Sequence, residues 1–434
     1  MQVVFTGWRK SGSMDLQAVE MALRAALHRA GTAALGQLLS MPAEAAEPVA
    51  CPCGQTARHH DTRPKQLLTV LGPVQIERAY YRCPHCQQGQ TPRDRELDVR
   101  GTEFSPGVRR MLAAVGSESS FEQGRQQLEL LAGLEVSAKA VERQAEAIGA
   151  AIEAGEQKEI RQAKQLDLPE VCAPAVPVFY IEMDGTGVPV TKKEREGRAG
   201  KNEGQPARTR EVKLGCVFTQ TTTNEEGWPI RDPNSTSYVA AIEPAEEFGL
   251  RLYTEAWRRG WSKARQKVVL GDGAIWIWNL ADQHFPGAIQ IVDLYHARQH
   301  IWELAAKLFP NDERARKRWI AICLNQLDEG KIEALAKILR RLQPDSDKLA
   351  QDVDNDADYF ERNAERMRYP KFRAQGLFVG SGVVEAGCRT VVGKRLKCSG
   401  MFWTVRGANA ILALRCCRLS SRFEDYWESR SRAA

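Results

Sequence analysis

Residues 176–190, VPVFYIEMDGTGVPV, decide how the second half of the chain folds. Apolar residues fill most of the stretch before Asp184, which predicts a buried strand that ends at this aspartate. Further strands and helices alternate after it, and the order predicts a mixed α/β sheet with flanking helices. The later strands are predicted from EVKLGCVFTQ, SYVAAIE, KVVLGD and AIQIVD.

Three antiparallel strands followed by alternating helices and parallel strands are the order found in ribonuclease-H-like domains. Asp184 is expected to end the first strand, Asp272 the fourth and Asp293 the fifth. Strand ends line the ligand crevice of an open α/β sheet. Carboxylates brought together raise each other's pKa unless a cation intervenes, and oxygen ligands select Mg²⁺ or Mn²⁺. Glu385 is the best candidate for a third ligand, while a helix cap is the alternative for any single aspartate.

Four motifs occur along the chain in a fixed order: DGTGVPV (184–190), VLGDGAIWIW (269–278), DLYHARQH (293–300) and GSGVVE (380–385). Together they resemble the bacterial insertion-sequence transposases of the ISKra group, which are DDE transposases related to the Mutator-like superfamily. The resemblance covers nearly the whole chain. It implies an α/β ribonuclease-H-like catalytic domain that cleaves double-stranded DNA at the element ends and transfers the strand into target DNA. It assigns the catalytic, Mg²⁺- or Mn²⁺-binding acids to Asp184, Asp272 and Glu385.

The same resemblance gives Asp293 and His296 a supporting place beside the catalytic acids. At i and i+3 they can share one face of a helix, where they would orient the site, with direct metal binding the lesser option. A helix-capping Asp beside a packed His is the alternative. Asp272 and Glu385 are 113 residues apart, so the resemblance also implies a helical insertion, placed at about 313–366.

Two cysteine pairs, Cys51-Pro-Cys53 and Cys83-Pro-His-Cys86, bracket a predicted hairpin. Four thiolates in such turns suit a structural Zn²⁺ ion. The first pair has only one residue between its cysteines, so a histidine could replace one ligand; unligated buried cysteines are the other reading. The candidate histidines are His59, His60 and His85. The chain has 11 cysteines and no visible secretory signal, which disfavours a disulfide framework.

The chain divides into four predicted regions. Residues 1–50 form an N-terminal helical segment, 51–100 a zinc-ribbon-like module, 101–170 a helical region and 171–434 the catalytic domain. In the third region, two helices flank Gly133, and Ser119 is expected to cap the first of them. This pattern fits a DNA-binding helix-turn-helix and a plain helical hairpin equally well.

Residues 386–423 contain no acidic residue but many basic ones. Positive charge directly after Glu385 is what a phosphate backbone at the site requires, and Phe402 and Trp403 could stack on an unpaired base. A solvated basic helix is the alternative for the outermost arginines. The DNA-binding candidates are Arg389, Lys394, Arg395, Lys397, Arg406 and Trp403; Arg415, Arg418 and Arg422 are also basic.

The composition excludes some classes of protein. No stretch approaches the roughly 20 apolar residues that cross a bilayer, and the net charge of +6 is compatible with an anionic partner. We therefore expect a cytoplasmic, DNA-associated protein without a membrane partner. The resemblance adds an expected homo-oligomer on DNA. Two rivals remain: a catalytically inactive DNA-binding protein derived from a transposase, and a ribonuclease-H-like nuclease without strand transfer.

Overall fold

The computed structural model describes residues 9–10, 13–40, 48–171, 175–198, 200 and 207–433. The chain forms two compact units, one of Met1–Glu146 with Phe423–Ala434 and one of Ala147–Arg422. Parts of the predicted N-terminal segment, including the linker at 41–47, lie outside the described residues. None of the helices described is both long enough and apolar enough to span a bilayer.

The first unit combines an antiparallel sheet of order β3-β4-β5-β6 with helices. The predicted hairpin is present as β4–β5, but it turns at residues 70–71; Gly72 and Pro73, where the sequence suggests the turn, are the first residues of β5. A cluster of buried apolar side chains from the helical part, including Val108, Leu112 and Val141, forms a core. The elements are β1 (Arg9–Lys10), β2 (Ser13–Met14), α1 (Leu16–Leu39), β3 (Val49–Ala50), β4 (Thr56–Thr69), β5 (Gly72–Arg82), β6 (Gly89–Gln90), α2 (Pro92–Glu96), α3 (Pro106–Glu118) and α4 (Phe121–Gln127). Helix α5 (Ala138–Lys164) begins in this unit, and its residues from Ala147 onwards belong to the second unit.

Helix α4 begins one residue later than the sequence predicts. Ser120, and not Ser119, is its N-cap: the Ser120 hydroxyl accepts the Gln123 amide at 3.2 Å, and the Gln123 side chain accepts the Ser120 amide at 3.4 Å. Ser119 instead donates its hydroxyl to the Val115 carbonyl at the end of α3. Both serines are good capping residues, so the sequence alone could not choose between them.

The second unit is built on a five-stranded mixed sheet of order β11-β8-β7-β12-β13. β7, β8 and β11 are antiparallel, and β12 runs parallel to both β7 and β13. Its elements are β7 (Val178–Pro189), α6 (Lys192–Arg195), β8 (Thr209–Gln220), β9 (Thr222–Thr223), β10 (Pro229–Ile230), β11 (Ser237–Ala241), α7 (Ala245–Arg258), β12 (Gln266–Gly271), α8 (Ile275–His284), β13 (Ile289–Val292), α9 (Leu294–Leu308), α10 (Glu313–Asp328), α11 (Ile332–Arg340), α12 (Asp347–Arg362), α13 (Tyr369–Ala374), α14 (Gly382–Gly387), α15 (Lys394–Leu396) and α16 (Val405–Leu419). Helix α17 (Phe423–Ala433) belongs to the first unit.

The mixed α/β architecture predicted from the sequence is confirmed for this unit. Residues 178–183 of the central strand β7 are buried without alternation, because helices cover the sheet and both faces of the strand pack. The region expected to hold an insertion, 313–366, is helical throughout most of its length and contains α10, α11 and α12. This helical region lies between α9 and α14 in the chain, and Tyr359 on α12 contacts Asp272 at the edge of the sheet.

Candidate active site

Three aspartates lie at one edge of the β7–β12–β13 part of the sheet. The last register row across β7, β12 and β13 consists of Met183, Gly271 and Val292. The next residue on each strand is Asp184, Asp272 and Asp293 in turn. The carboxyl ends of parallel strands therefore place three acids at one edge of the sheet, where ligands of α/β proteins bind.

Asp184 does not end its strand, which corrects the sequence-based prediction. β7 continues to Pro189 as a two-stranded ribbon with β8, and Asp184 lies opposite Leu214 within that ribbon. It is β12 that ends here, at Gly271. Asp184 still borders the crevice because β12, the strand on the other side of β7, ends at Gly271.

The Asp184 carboxylate is half-buried and closely surrounded. One oxygen accepts the Gly185 amide at 2.6 Å, and the other accepts the Cys388 thiol at 3.2 Å. Burial raises the pKa of Asp184, and the neighbouring charge of Asp272 raises it further, against the effect of these two hydrogen bonds. Two acids that oppose each other's ionisation are an arrangement that a bound cation would relieve.

Asp272 occupies a tight turn that Tyr359 holds from the helical insertion. The Asp272 carboxylate accepts the Ala274 amide at 2.9 Å, and the Tyr359 hydroxyl donates to the Asp272 carbonyl at 3.0 Å. Burial raises the pKa of Tyr359, so its hydroxyl stays protonated and available as a donor. Gly273 has a φ of +97°, and a Cβ there would lie 2.5 Å from Tyr359 Cε2. The glycine thus admits the tyrosine ring, in a turn that an L side chain would strain.

We expect Gly273→Ala to destabilise the protein more than Gly287→Ala does. Gly287 also has a positive φ, +76°, but no atom lies within 4 Å of its Cβ position. The Gly287 variant should lose about 1–2 kcal/mol through backbone strain alone. The Gly273 variant should lose about 1–3 kcal/mol more, because it also displaces Tyr359. Urea unfolding of both variants measures the difference; equal losses would contradict the packing described for Tyr359.

Asp293 is buried and fully engaged in hydrogen bonds. One oxygen caps α9 by accepting the amides of Tyr295 at 2.6 Å and His296 at 3.2 Å. The other accepts the Ser381 amide at 2.9 Å and the Ser381 hydroxyl. Asp293 therefore links α9 to the segment that leads into α14. Asp293 is thus a helix cap, as the alternative reading has it, and its role in orienting the acids stays a prediction.

Glu385 lies on α14, which is hydrogen-bonded to the same strand as Asp184. The Val384 amide donates to Glu182 on β7 at 2.8 Å, and the Cys388 thiol donates to Asp184. Residues 385 and 388 share a helix face, so Glu385 is one turn from the Asp184 contact. Its side chain is exposed. Within the described residues, the three carboxylates do not reach the mutual 4.8 Å spacing that the cysteine cluster below attains.

His296 belongs to an aromatic group around Tyr359. His296 packs edge-on against His300, with ring centroids 5.1 Å apart, and His300 stacks on Tyr359 at 4.1 Å. His300 Nδ1 lies 2.7 Å from an Asp356 oxygen on α12. The charge of His296 acts to lower the pKa of Asp184. His296 thus contacts the aromatic group that supports the Asp272 turn, with its ring centroid 6.4 Å from that of Tyr359.

Sequence reasoning missed the residues that support the acids. Tyr359 lies 87 residues from Asp272 in the chain, too far for spacing to connect them. His300 ends the DLYHARQH motif, but the sequence gives no reason to assign it a role. Glu182 did carry a signal: it is an acid in an otherwise apolar buried strand, two residues before Asp184 and so on the same face. The remaining supports, Ser381 and Cys388, flank Glu385 within three or four residues.

The DNA-binding candidates divide into exposed and buried residues. Arg389, Lys394, Lys397, Arg406 and Phe402 are exposed. Lys397 Nζ donates to Thr186 Oγ1 at 2.5 Å, close to Asp184 in the chain.

Arg395 and Trp403 differ from the prediction, because neither is on the surface. Arg395 is 0% exposed and its guanidinium lies 5.0 Å from the Trp403 ring centroid. Trp403 is 6% exposed, and its indole N–H donates to the Leu396 carbonyl at 3.1 Å. Arg415 is buried as well and donates to the Val391 carbonyl at 2.7 Å. These cations hold the fold of 388–403 and are not available to a phosphate backbone.

The four predicted cysteines meet in the first unit. The sulfur atoms of Cys51, Cys53, Cys83 and Cys86 all lie within 4.8 Å of one another, so this cluster could hold a zinc ion. Two tight turns shape it: the Gly54 amide donates to the Cys51 carbonyl at 2.9 Å, and the Gln87 amide donates to the Cys83 carbonyl at 3.0 Å. Backbone amides of Cys86 and His85 lower the pKa of the Cys83 thiol to about 6, which favours a thiolate.

The histidines considered as replacement ligands are outside the cluster. His59 packs edge-on against Tyr81, and His60 lies 3.2 Å from the Asp61 carboxylate. The His85 side chain is not among the four clustered ligands. The short spacing between Cys51 and Cys53 therefore needs no histidine, because the turn at Gly54 brings both thiols to the same side.

Comparisons with known proteins add little about activity. Residues 55–228 match a family described as the uncharacterised protein family UPF0236. That match includes Cys83, Cys86 and Asp184 but ends before Asp272 and Glu385. Among solved structures, the Drosophila P element transposase strand transfer complex is similar over 78% of this chain and 84% of that chain, with 8% identity and a TM-score of 0.25. This TM-score is too low to establish a shared fold. Among curated proteins, no match is found.

Proposed function

We propose that the chain is a DDE-type DNA transposase of the ISKra insertion-sequence group, which cleaves DNA at its element ends and transfers the strand into target DNA. One observation carries the proposal: Asp184 and Asp272 follow paired residues of β7 and β12, and the helix bearing Glu385 is hydrogen-bonded to the strand of Asp184. The strand order, three antiparallel followed by two parallel, supports a ribonuclease-H-like catalytic domain.

Asp184, Asp272 and Glu385 would hold the divalent cations, Mg²⁺ or Mn²⁺. The donor set fits, since carboxylate oxygens are the ligands that these ions select. Two such cations, when bound, activate an attacking oxygen and stabilise a leaving oxygen during in-line phosphoryl transfer. Burial is the main cause of the raised pKa of Asp184, and the charge of Asp272 adds to it; a bound cation would favour the ionised form against both effects. Glu385 is exposed, and the proposal requires its carboxylate to turn towards the aspartates when the cations bind.

The remaining residues of the site orient the reaction. Tyr359 fixes the turn of Asp272, and Asp293 fixes the segment before α14. Such fixed geometry lowers the reorganisation needed when the DNA phosphate arrives. The proposed reaction needs no protein nucleophile, because water attacks first and the freed 3′-hydroxyl of DNA attacks the target afterwards.

The DNA backbone would lie along the exposed cations that follow Glu385. Arg389, Lys394, Lys397 and Arg406 are the proposed phosphate contacts, and exposed Phe402 is the proposed stacking residue. Contacts of this kind position DNA without reading its sequence. We assign recognition of the element ends to the module 51–100 and the helical region 101–170. We assign catalysis to the part of residues 171–434 that lies in the second unit, 171–422. We also propose that the chain acts as a homo-oligomer that binds the two paired ends of the element.

Gel-mobility and nicking assays on the same DNA test the proposal. The substrate is a duplex carrying the genomic sequences that flank the coding region, where inverted repeats are expected. The wild-type protein should retard this duplex and, with Mn²⁺, nick it at the repeat ends and join the product to a target plasmid. Retardation without nicks would overturn the catalytic assignment in favour of the inactive DNA-binding rival. Nicks that are never joined would favour a nuclease without strand transfer.

A further inference from the structure

Glu182 is a buried acid in the centre of the second unit. Its side chain is 0% exposed and lies on β7, on the same face as Asp184. Oε2 accepts the Val384 amide at 2.8 Å, and the Cys216 thiol lies 3.9 Å from it. Oε1 has no hydrogen-bond partner among the described residues. A buried carboxyl group with one unpaired oxygen lowers the stability of the fold. Packing alone therefore does not explain why a glutamate occupies this position.

Helix α14 lacks the cap that its own sequence would provide. The first amides of a helix have no intrahelical acceptor, and an N-cap serine usually accepts one of them. Ser381 is the N-cap residue of α14, but its hydroxyl does not cap the helix. That hydroxyl donates to Asp293 instead. The Val384 amide, in the position that a serine normally satisfies, is bonded by Glu182 from the strand.

We infer that Glu182 is a positioning residue, which caps α14 from β7 and thereby fixes Glu385 beside Asp184. Strand β7, which carries Asp184, thus also sets the position of Glu385. It does so through two hydrogen bonds, from the Val384 amide on α14 and from the Cys388 thiol just after α14. The catalytic part of this inference rests on the proposed function; the capping part does not.

The charge of Glu182 is not what the capping requires. An amide oxygen can accept the Val384 amide as a carboxyl oxygen does. Glu182→Gln should therefore preserve the cap, whereas Glu182→Met, similar in size but without an acceptor, should remove it.

Amide hydrogen exchange of residues 382–393 tests the cap without reference to activity. Glu182→Met should speed exchange of the Val384 amide by about tenfold or more, the effect of losing one buried hydrogen bond. Glu182→Gln should leave it unchanged. The matched control is Cys216→Ala, which alters the other neighbour of Glu182 Oε2 and should also leave Val384 unchanged. The inference would be overturned if the Val384 amide exchanged faster than wild type in the Gln variant, or no faster than wild type in the Met variant.

Two further measurements complete the test. In wild-type protein, the Val384 amide should exchange more slowly than the amides of Gly382 and Val383; equal rates would overturn the inference even if Glu182→Met fails to fold. In the nicking assay, Glu182→Met should lower kcat about tenfold with unchanged KM for DNA, and Glu182→Gln should restore kcat. Equal kcat in all three proteins would refute the positioning of Glu385. A wild-type protein that does not nick would refute the proposed function, and the exchange result would still decide the cap.

Discussion

Replacing Asp272 by asparagine is expected to abolish metal-dependent DNA cleavage while leaving the fold and DNA binding intact. Asparagine keeps the size of the side chain and an oxygen that can accept the Ala274 amide, so the turn held by Tyr359 should persist. What is lost is a negative charge beside Asp184. Metal-ion catalysis supplies several kcal/mol of transition-state stabilisation, so cleavage should fall by about 10³-fold or more. Asp184→Asn and Glu385→Gln should act alike.

The matched control is Asp282→Asn, on the helix that follows the Asp272 turn. Asp282 is exposed and its carboxylate accepts only a surface contact in the described structure, from Gln290 at 2.6 Å. This variant should cleave at the wild-type rate. Gel mobility and circular dichroism of each variant separate loss of chemistry from loss of binding or folding. Wild-type cleavage by a purified Asp272→Asn protein would remove Asp272 from the catalytic set.

Loss of zinc is expected to unfold the cysteine module of the first unit. The four sulfur atoms are already grouped, so one zinc ion per chain should be found by atomic absorption. Structural zinc in small modules contributes about 10 kcal/mol or more to folding, so Cys83→Ser or a strong zinc chelator should abolish the ordered β4–β5 hairpin. Protease sensitivity of residues 51–90 measures this loss.

His85→Ala is the control for the zinc prediction. His85 is adjacent to the cluster, yet its imidazole is not one of the grouped ligands. This variant should retain zinc and protease resistance. A purified wild-type protein that contains no zinc and tolerates chelators would instead identify the four thiols as buried, unligated cysteines.

Much of the sheet could be predicted because its strands have strong local signals. The buried run before Asp184 and the strands ending in Asp272 and Asp293 are continuous apolar segments, which only a covered sheet requires. The end of β7 could not be predicted in the same way. Gly185 and Gly187 suggest a turn, but both lie in extended ribbon, where a Cβ would approach Glu211 Oε1 at 2.7 Å and Thr209 Oγ1 at 2.9 Å. The close contacts at both glycines are with side chains of β8, and the sequence does not show which residues pair across the two strands.

The proposed acids can be named from the sequence, whereas the residues that contact them cannot. Each proposed catalytic acid occurs in a motif with a recognisable pattern, so it can be named without a structure. Tyr359 and Glu182 act on residues 87 and 202 positions away in the chain, through a hydroxyl and a buried carboxyl. The burial of Arg395 and Trp403 could not be predicted either. A segment with only basic charges suggests an exposed surface, but packing within 388–403 buries these two side chains.

The central claim is that Asp184, Asp272 and Glu385 form one pocket for divalent cations. Anomalous X-ray scattering from crystals of the wild-type protein soaked in Mn²⁺ tests it most directly. We predict manganese between the carboxylates of Asp184 and Asp272, with the Glu385 side chain turned towards it. Manganese absent from these two aspartates, or bound there with Glu385 still directed into solvent, would contradict the claim.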